Sequence, residues 1–180
     1  VSKFLSILSG ESKPTSGNIE WGVTITKSYL PNDNSPYFKD KINLIDWLRQ
    51  FSTEKDETFI RGFLGRMLFS GEETLKMCTV LSGGEKVRCM LSKVMLEEGN
   101  FLILDEPTNH LDLESITALN NGMVEYQGSM VFTSHDHTFT HTIANRVIEL
   151  TPKGILDKLM TYDEYLEDDR VKSQREEYYS

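Results

Sequence analysis

The stretch NFLILDEPTNHLD, residues 100–112, decides the fold of this chain. In it, four apolar residues, Phe101 to Leu104, run directly into Asp105 and Glu106. An apolar run of strand length predicts a strand buried on both faces, as in a parallel sheet. Open parallel sheets bind ligands beyond the carboxyl ends of their strands. We therefore expect the two acids at a ligand site, although an acidic surface turn is the simpler alternative.

The segment that follows completes a strand–helix–strand unit. Residues 113–126, LESITALNNGMVEY, predict a helix, and residues 129–136, SMVFTSHD, predict a second strand. Such a connection makes the strands parallel, so Ser134, His135 and Asp136 would end beside the acids. One carboxylate suits a hydrated Mg²⁺ and the next an attacking water. His135 would contact a phosphate or that water, unless the backbone satisfies it.

A glycine turn in LSGGEKVRCML, residues 81–91, precedes these strands. Ser82 is a good N-cap for the helix that follows. Gly83 and Gly84 would let the backbone approach an anion at the positive end of the helix. An ordinary capped helix start is the alternative. The buried stripe of this helix is predicted to contain Val87, Met90, Leu91, Val94 and Met95.

The remaining segments predict a mixed α/β fold. Residues 3–9 predict a buried helix, residues 44–96 predict further helices, and residues 146–160 predict a closing hairpin. Two β segments are expected earlier, at 18–22 (NIEWG) and 23–30 (VTITKSYL). The charged tail from Tyr162 predicts a solvated helix or the start of an extension that the chain cuts short.

Composition excludes several classes of protein. The chain has 180 residues, 38% hydrophobic and 26% charged, which is ordinary for a soluble protein. A net charge of −9 argues against a nucleic-acid surface over the whole chain, though not against a local basic patch. The apolar opening, Val1 to Leu8, is too short to span a bilayer, and we expect no signal peptide.

Histidines and cysteines predict no zinc site. His135, His137 and His141 match no common zinc spacing and have no cysteine nearby. Cys78 and Cys89 are expected to be reduced and buried thiols, which favours a cytoplasmic protein.

Taken in order, these motifs resemble the nucleotide-binding domain of an ATP-binding cassette (ABC) protein. LSGGEK resembles the ABC signature, FLILDEP the Walker B strand with its catalytic glutamate, NHLD the D-loop and SHD the switch histidine. A DEAD-type helicase also has Asp-Glu after a strand, but it lacks LSGGE ahead of it. The resemblance implies an α/β fold, a partial P-loop NTPase (ABC ATPase) domain with a helical signature subdomain.

One branch of the family is favoured. LDEPTNHLDLESI resembles the ABC-F proteins, soluble tandem ATPases that act on ribosomes and lack transmembrane domains. WLRQF, RGFLGRMLFSGEE and LSGGEKVRCMLSK resemble its YbiT-type bacterial members, and the second of their two cassettes in particular. This implies a residual core with the Q-loop region at 1–38, a helical subdomain at 39–98, a core from Walker B to the switch at 99–160, and a charged tail at 161–180.

The resemblance also assigns roles. Asp105 would organise Mg²⁺, Glu106 would position the attacking water, and His135 would steady the γ-phosphate of ATP. Ser82 and Gly84 would contact the nucleotide of a second cassette paired head to tail. The other nucleotide-binding candidates are Gly83, Glu85, Asp112 and Asn32.

The chain departs from the family pattern at two places. The letters VSK, residues 1–3, stand where the phosphate loop should end, so we expect that loop, the first strand and the adenine-stacking aromatic to be absent. YLPNDN, residues 29–34, stands where the family often has a glutamine that contacts Mg²⁺. Asn32 is the nearest substitute there, and its amide is shorter.

Three functions follow from this comparison. The first is a fragment of a cytoplasmic, ribosome-associated ATP hydrolase without a membrane partner. The second is a truncated interaction module that does not hydrolyse ATP, and the third is the ATP-binding subunit of an ABC transporter. By itself the chain is expected to be inactive without the phosphate loop, and its unpaired sheet edges are expected to promote aggregation or dimerisation.

Overall fold

A computed structural model describes every residue from Val1 to Ser180. The chain divides into two units, one of residues Ser2–Ser134 and one of residues His135–Ser180 with Val1. The predicted α/β class is confirmed, because a parallel sheet and helices form the larger unit.

A three-stranded parallel sheet organises the larger unit. Its strands are β1 (Lys27–Leu30), β2 (Phe101–Asp105) and β3 (Ser129–Thr133), and β2 lies in the centre. Leu30 pairs with Leu104, and Asp105 pairs with Thr133. The carboxyl ends of all three strands therefore meet at one edge, as the crossover predicted, and this edge carries the loops that follow Leu30, Asp105 and Thr133.

Five α-helices complete the larger unit: α1 (Ser2–Ser9), α2 (Leu44–Arg49), α3 (Glu57–Arg66), α4 (Gly83–Leu96) and α5 (Leu113–Glu125). Short 3₁₀ turns lie at Ser35–Phe38, Gly71–Leu75 and Cys78–Val80. The helical region predicted between residues 44 and 96 is confirmed. The predicted stripe of α4 is buried except at its last member, Met95, which is partly exposed.

The first predicted β segment is wrong, and the second is shorter than expected. Residues 18–22 form no strand, and β1 starts only at Lys27, opposite Phe101. Just before that pair, the carbonyl of Thr26 still accepts from the N–H of Phe101 at 3.1 Å, but the N–H of Thr26 donates to the side-chain Oδ1 of Asn100 at 2.9 Å. A side-chain amide thus satisfies the backbone that the sequence assigned to a longer strand.

Helix α1 is less buried than predicted. Only Leu5 is buried, whereas Phe4 is 39% exposed. The helix contacts β1 and β2, and one face suffices for that packing. The apolar composition of residues 3–9 therefore predicted more burial of this helix than the structure shows.

The smaller unit contains α6 (His137–Ile143), β4 (Val147–Thr151), β5 (Gly154–Lys158), α7 (Tyr162–Glu167) and α8 (Asp169–Tyr179). Strands β4 and β5 pair antiparallel, which confirms the predicted hairpin. The tail is helical but not simply solvated, since Glu149 of β4 accepts hydrogen bonds from Arg175 and Tyr179 of α8. Charged side chains thus attach this helix to the hairpin.

Both cysteines are buried and unpaired, which confirms the predicted reduced thiols. Burial raises the pKa of the Cys78 thiol to about 11, so at neutral pH it is a thiol rather than a reactive thiolate. None of the helices combines the length and the apolarity needed to cross a bilayer.

Candidate nucleotide site

Asp105 ends the central strand in a buried position. Its side chain is only 2% exposed, and its Oδ1 accepts a hydrogen bond from Thr133 Oγ1 at 2.9 Å. The other oxygen, Oδ2, is buried and has no hydrogen-bond partner. A buried carboxylate oxygen without a partner is costly, and a hard cation would satisfy it. The site therefore fits the predicted Mg²⁺.

Glu106, the next residue, has a left-handed backbone with φ of +53°. Its N–H donates to both the carbonyl oxygen and the Oγ1 of Thr133, each at 3.1 Å. Its carbonyl accepts from the N–H of Asn109 at 3.1 Å. Such a conformation costs of order 1–3 kcal/mol in a residue other than glycine and is found mainly at functional sites. These hydrogen bonds hold the predicted catalytic glutamate in place.

A cleft of about 370 Å³ lies at this edge of the sheet. Four predicted residues line it together, namely Asn32, Gly83, Asp105 and Glu106. They come from the loop after β1, the first turn of α4 and the end of β2. The chain therefore brings a predicted metal ligand, a predicted catalytic acid and part of the signature turn to one polar cavity.

Two further lining residues of this cleft were missed in the sequence. Lys86 is the only lysine or arginine that lines it, and Asn34 is only 9% exposed. Their proximity to predicted site residues was a signal in the sequence, since Lys86 ends the LSGGEK motif and Asn34 lies two residues after Asn32. Lys86 is thus a cation in a cleft that three acids also line, Asp33, Asp105 and Glu106, and it could pair with an anionic ligand.

A second cleft of about 250 Å³ lies on another side of the signature turn. It is lined by the remaining predicted residues of the larger unit: Ser82, Gly84, Glu85 and Asp112. Arg88 is also present there and was not predicted. The signature turn thus contributes to two cavities, with Gly83 in the first and Ser82 and Gly84 in the second.

Ser82 and Glu85 also form a capping box at the start of α4. Ser82 Oγ accepts from the N–H of Glu85 at 3.2 Å, and Glu85 Oε2 accepts from the N–H of Ser82 at 2.8 Å. Lys76 forms an ion pair with Glu85. Asp112 similarly caps α5, accepting from the N–H of Ser115 at 2.8 Å. The ordinary capped helix start is therefore present, whether or not the turn also binds an anion.

The two signature glycines pack closely against His110. A Cβ at Gly84 would lie 2.5 Å from the His110 carbonyl oxygen, whereas one at Gly83 would lie 3.4 Å from its Cγ. His110 itself has φ of +62°. Only the approach at Gly84 excludes a side chain, so glycine at this position has a packing role that the sequence did not reveal.

His135 is the one predicted site residue outside the larger unit. It directly follows Ser134, beyond the end of β3, and is exposed. Its assignment as the switch histidine remains a prediction.

The fold is that of the ATP-binding cassette class. A family model described as ABC transporter matches residues 2–109, and the chain belongs to this family. The archaeal ribosome recycling factor aABCE1, solved with the ribosomal stalk protein aP1, has a TM-score of 0.74 at 20% identity. The match covers 99% of this chain and 41% of that one, and it confirms the ABC ATPase fold.

Curated relatives include bacterial ATP-binding proteins. The chain is 61% identical to the uncharacterized ABC transporter ATP-binding protein YkpA of Bacillus subtilis, over 100% of its length and 34% of YkpA. It is 40% identical to the probable ATP-binding protein YbiT of Escherichia coli, over 92% of this chain and 31% of YbiT. It is 32% identical to the energy-dependent translational throttle protein EttA of E. coli, over 97% of this chain and 34% of EttA. The chain thus spans about a third of these relatives.

The capping box predicts a pH-dependent stability. Burial acts to raise the pKa of the Glu85 carboxyl, but hydrogen bonds from Lys76 and Ser82 outweigh it and hold the pKa below its usual value. A carboxyl with a lowered pKa stabilises the fold above its unfolded-state pKa, about 4.3. This stabilisation is lost as the pH falls through the lower pKa of the folded state.

We therefore expect Glu85→Gln to reduce the free energy of unfolding at neutral pH. The difference from wild type should shrink progressively below about pH 4.3. Urea unfolding, followed by the fluorescence of buried Trp47, would measure it across a pH series. Glu98→Gln, on the exposed turn after α4, is the control. An equal difference at every pH would contradict the expectation.

Proposed function

We propose that the chain is part of the ATP-hydrolysing cassette of an ABC-F-type protein that acts on ribosomes. The observation that carries the ATPase part is the unsatisfied, buried Oδ2 of Asp105. It lines the same cleft as Glu106, Lys86 and the signature Gly83. Hydrolysis of a phosphate anhydride needs this combination, because positioning and charge stabilisation provide most of its catalysis.

Five residues of the first cleft have roles in this proposal. Asp105 would hold Mg²⁺, which supplies charge neutralisation for phosphate oxygens when bound. Glu106 would orient the attacking water and accept its proton. Lys86 would balance the negative charge of the phosphates, and Asn32 or Asn34 would donate an amide N–H to them. His135 remains the proposed partner of the γ-phosphate.

The second cleft is the proposed surface for another cassette. Ser82 and Gly84 line it, and the N–H groups of the first turn of α4 lie at the positive end of a 14-residue helix. An anion held by a second cassette would be stabilised there. Glu85 and Asp112, whose side chains accept hydrogen bonds from backbone N–H groups, would keep the turn and the start of α5 in shape.

The ribosomal part of the proposal comes from the relatives. EttA is named as a translational throttle, and the LDEPTNHLD segment resembles the ABC-F branch. Similarity to YbiT and YkpA supports the YbiT-type assignment. Placement in a second cassette and a cytoplasmic location are proposed from the motif resemblance alone. The four proposed regions, 1–38, 39–98, 99–160 and 161–180, follow the same resemblance.

Ribosome binding would test this proposal. In the full-length protein containing this chain, Glu106→Gln should increase co-sedimentation with 70S ribosomes when Mg-ATP is present, because slow hydrolysis prolongs the ATP-bound form. ADP should abolish the increase. Binding that does not depend on nucleotide would contradict it. Co-purification with an integral membrane protein would instead favour a transporter subunit, the function that the family description suggests.

A further inference from the structure

Thr133, the last residue of β3, contacts both acids of the first cleft through one hydroxyl group. Its Oγ1 donates to Asp105 Oδ1 at 2.9 Å and accepts from the N–H of Glu106 at 3.1 Å. Its carbonyl oxygen accepts from the same N–H, also at 3.1 Å. A hydroxyl has one proton to donate. The Thr133 hydroxyl donates this proton to the carboxylate of Asp105, and its oxygen accepts from the backbone N–H of Glu106.

This geometry has two consequences for the acids. The bond to Oδ1 occupies one carboxylate oxygen of Asp105 and leaves Oδ2 as the oxygen without a partner. The bonds from the Glu106 N–H hold the residue in its left-handed conformation. Hydrogen bonds to a ligating group fix its orientation and commonly change metal affinity when they are removed.

We infer that Thr133 is a positioning residue that presents Asp105 Oδ2 to Mg²⁺ and holds the peptide of Glu106 for hydrolysis. This inference rests on the proposed ATPase function and adds a residue that LSGGEK and LDEP do not contain. In this role Thr133 acts only through its two neighbours, Asp105 and Glu106. It also links the acid pair to the strand that leads to His135.

The test compares two substitutions at one position. Thr133→Val keeps the shape and removes the hydroxyl, whereas Thr133→Ser keeps the hydroxyl and removes the methyl group. Both are made in the full-length protein carrying Glu106→Gln, and binding of Mn-ATP is measured by electron paramagnetic resonance of Mn²⁺. Loss of a positioning hydrogen bond should weaken binding about 10- to 100-fold in Thr133→Val, and Thr133→Ser should retain most of the affinity.

Thr108→Val is the matched control. Thr108 is buried in the loop that follows Asp105 and Glu106, and its hydroxyl bonds to Ser134 Oγ at 2.9 Å rather than to Asp105. It should leave Mn-ATP affinity close to that of the parent. Equal loss in Thr133→Val and Thr133→Ser, or no loss in either, would overturn the inference. Absence of Mn-ATP binding in the Glu106→Gln parent would instead overturn the ATPase proposal itself.

Discussion

Glu106→Gln is expected to lower the rate of ATP hydrolysis by the full-length protein containing this chain about 10²- to 10⁴-fold, the usual contribution of a general base. The amide preserves the size of the side chain but cannot accept a proton from water. Because the backbone N–H of Glu106 donates hydrogen bonds to Thr133, the substitution should leave the geometry of the cleft unchanged. ATP affinity should therefore remain, and the ATP-bound form should accumulate.

Phosphate release and retention of labelled ATP would measure the two effects together. Glu98→Gln is the matched control, because Glu98 also has a left-handed backbone, with φ of +50°, but does not line the cleft. Its turnover should equal that of wild type. Turnover unaffected by Glu106→Gln would exclude the residue as the base and would favour a module that does not hydrolyse ATP.

Gly84→Ala is expected to destabilise the larger unit by about 1–3 kcal/mol, the usual cost of overpacking. The new Cβ would lie 2.5 Å from the His110 carbonyl oxygen, which is backbone and cannot rotate away. His110 already has a left-handed conformation, so the loop has little freedom to move. Urea unfolding of the chain, followed by the fluorescence of Trp47, would give the difference in free energy.

Gly83→Ala provides the comparison within the same turn. Its Cβ would meet only the His110 ring, at 3.4 Å, and the gain in helix propensity, up to about 1 kcal/mol, applies to both positions. We expect Gly83→Ala to be neutral or slightly stabilising. Equal destabilisation by both substitutions would show that the His110 carbonyl does not set the requirement at Gly84.

Much of the site could be predicted because short motifs fix its chemistry. The apolar run before Asp105 predicted a buried parallel strand, and the stripe after Ser82 predicted helix α4. Both depend on local patterns, periodicity and capping, which the sequence displays directly. The sequence singled out Asn32, Gly83, Asp105 and Glu106, but it did not predict that one cleft groups them, because the resemblance assigns the signature turn to the nucleotide of a second cassette.

Other features depend on tertiary contacts and could not be predicted. Nothing around Thr133 marks it as the partner of two acids, since the partners lie 28 and 27 residues away. The late start of β1 at Lys27 depends on a side-chain amide of Asn100, and the exposure of α1 depends on how much of it the sheet covers. The left-handed residues Glu106 and His110 are likewise imposed by their neighbours rather than by their own preferences.

The pairing of β1 with β2 has a consequence for how the chain folds. Seventy residues lie between Leu30 and Phe101, and they include helices α2, α3 and α4. Joining these strands closes a long loop, whose entropic cost must be met before the pairing contributes any stability. Local helical contacts form faster than such distant ones. The helical region is therefore expected to form early and bring the strand ends together, so that the cleft at the sheet edge is assembled last.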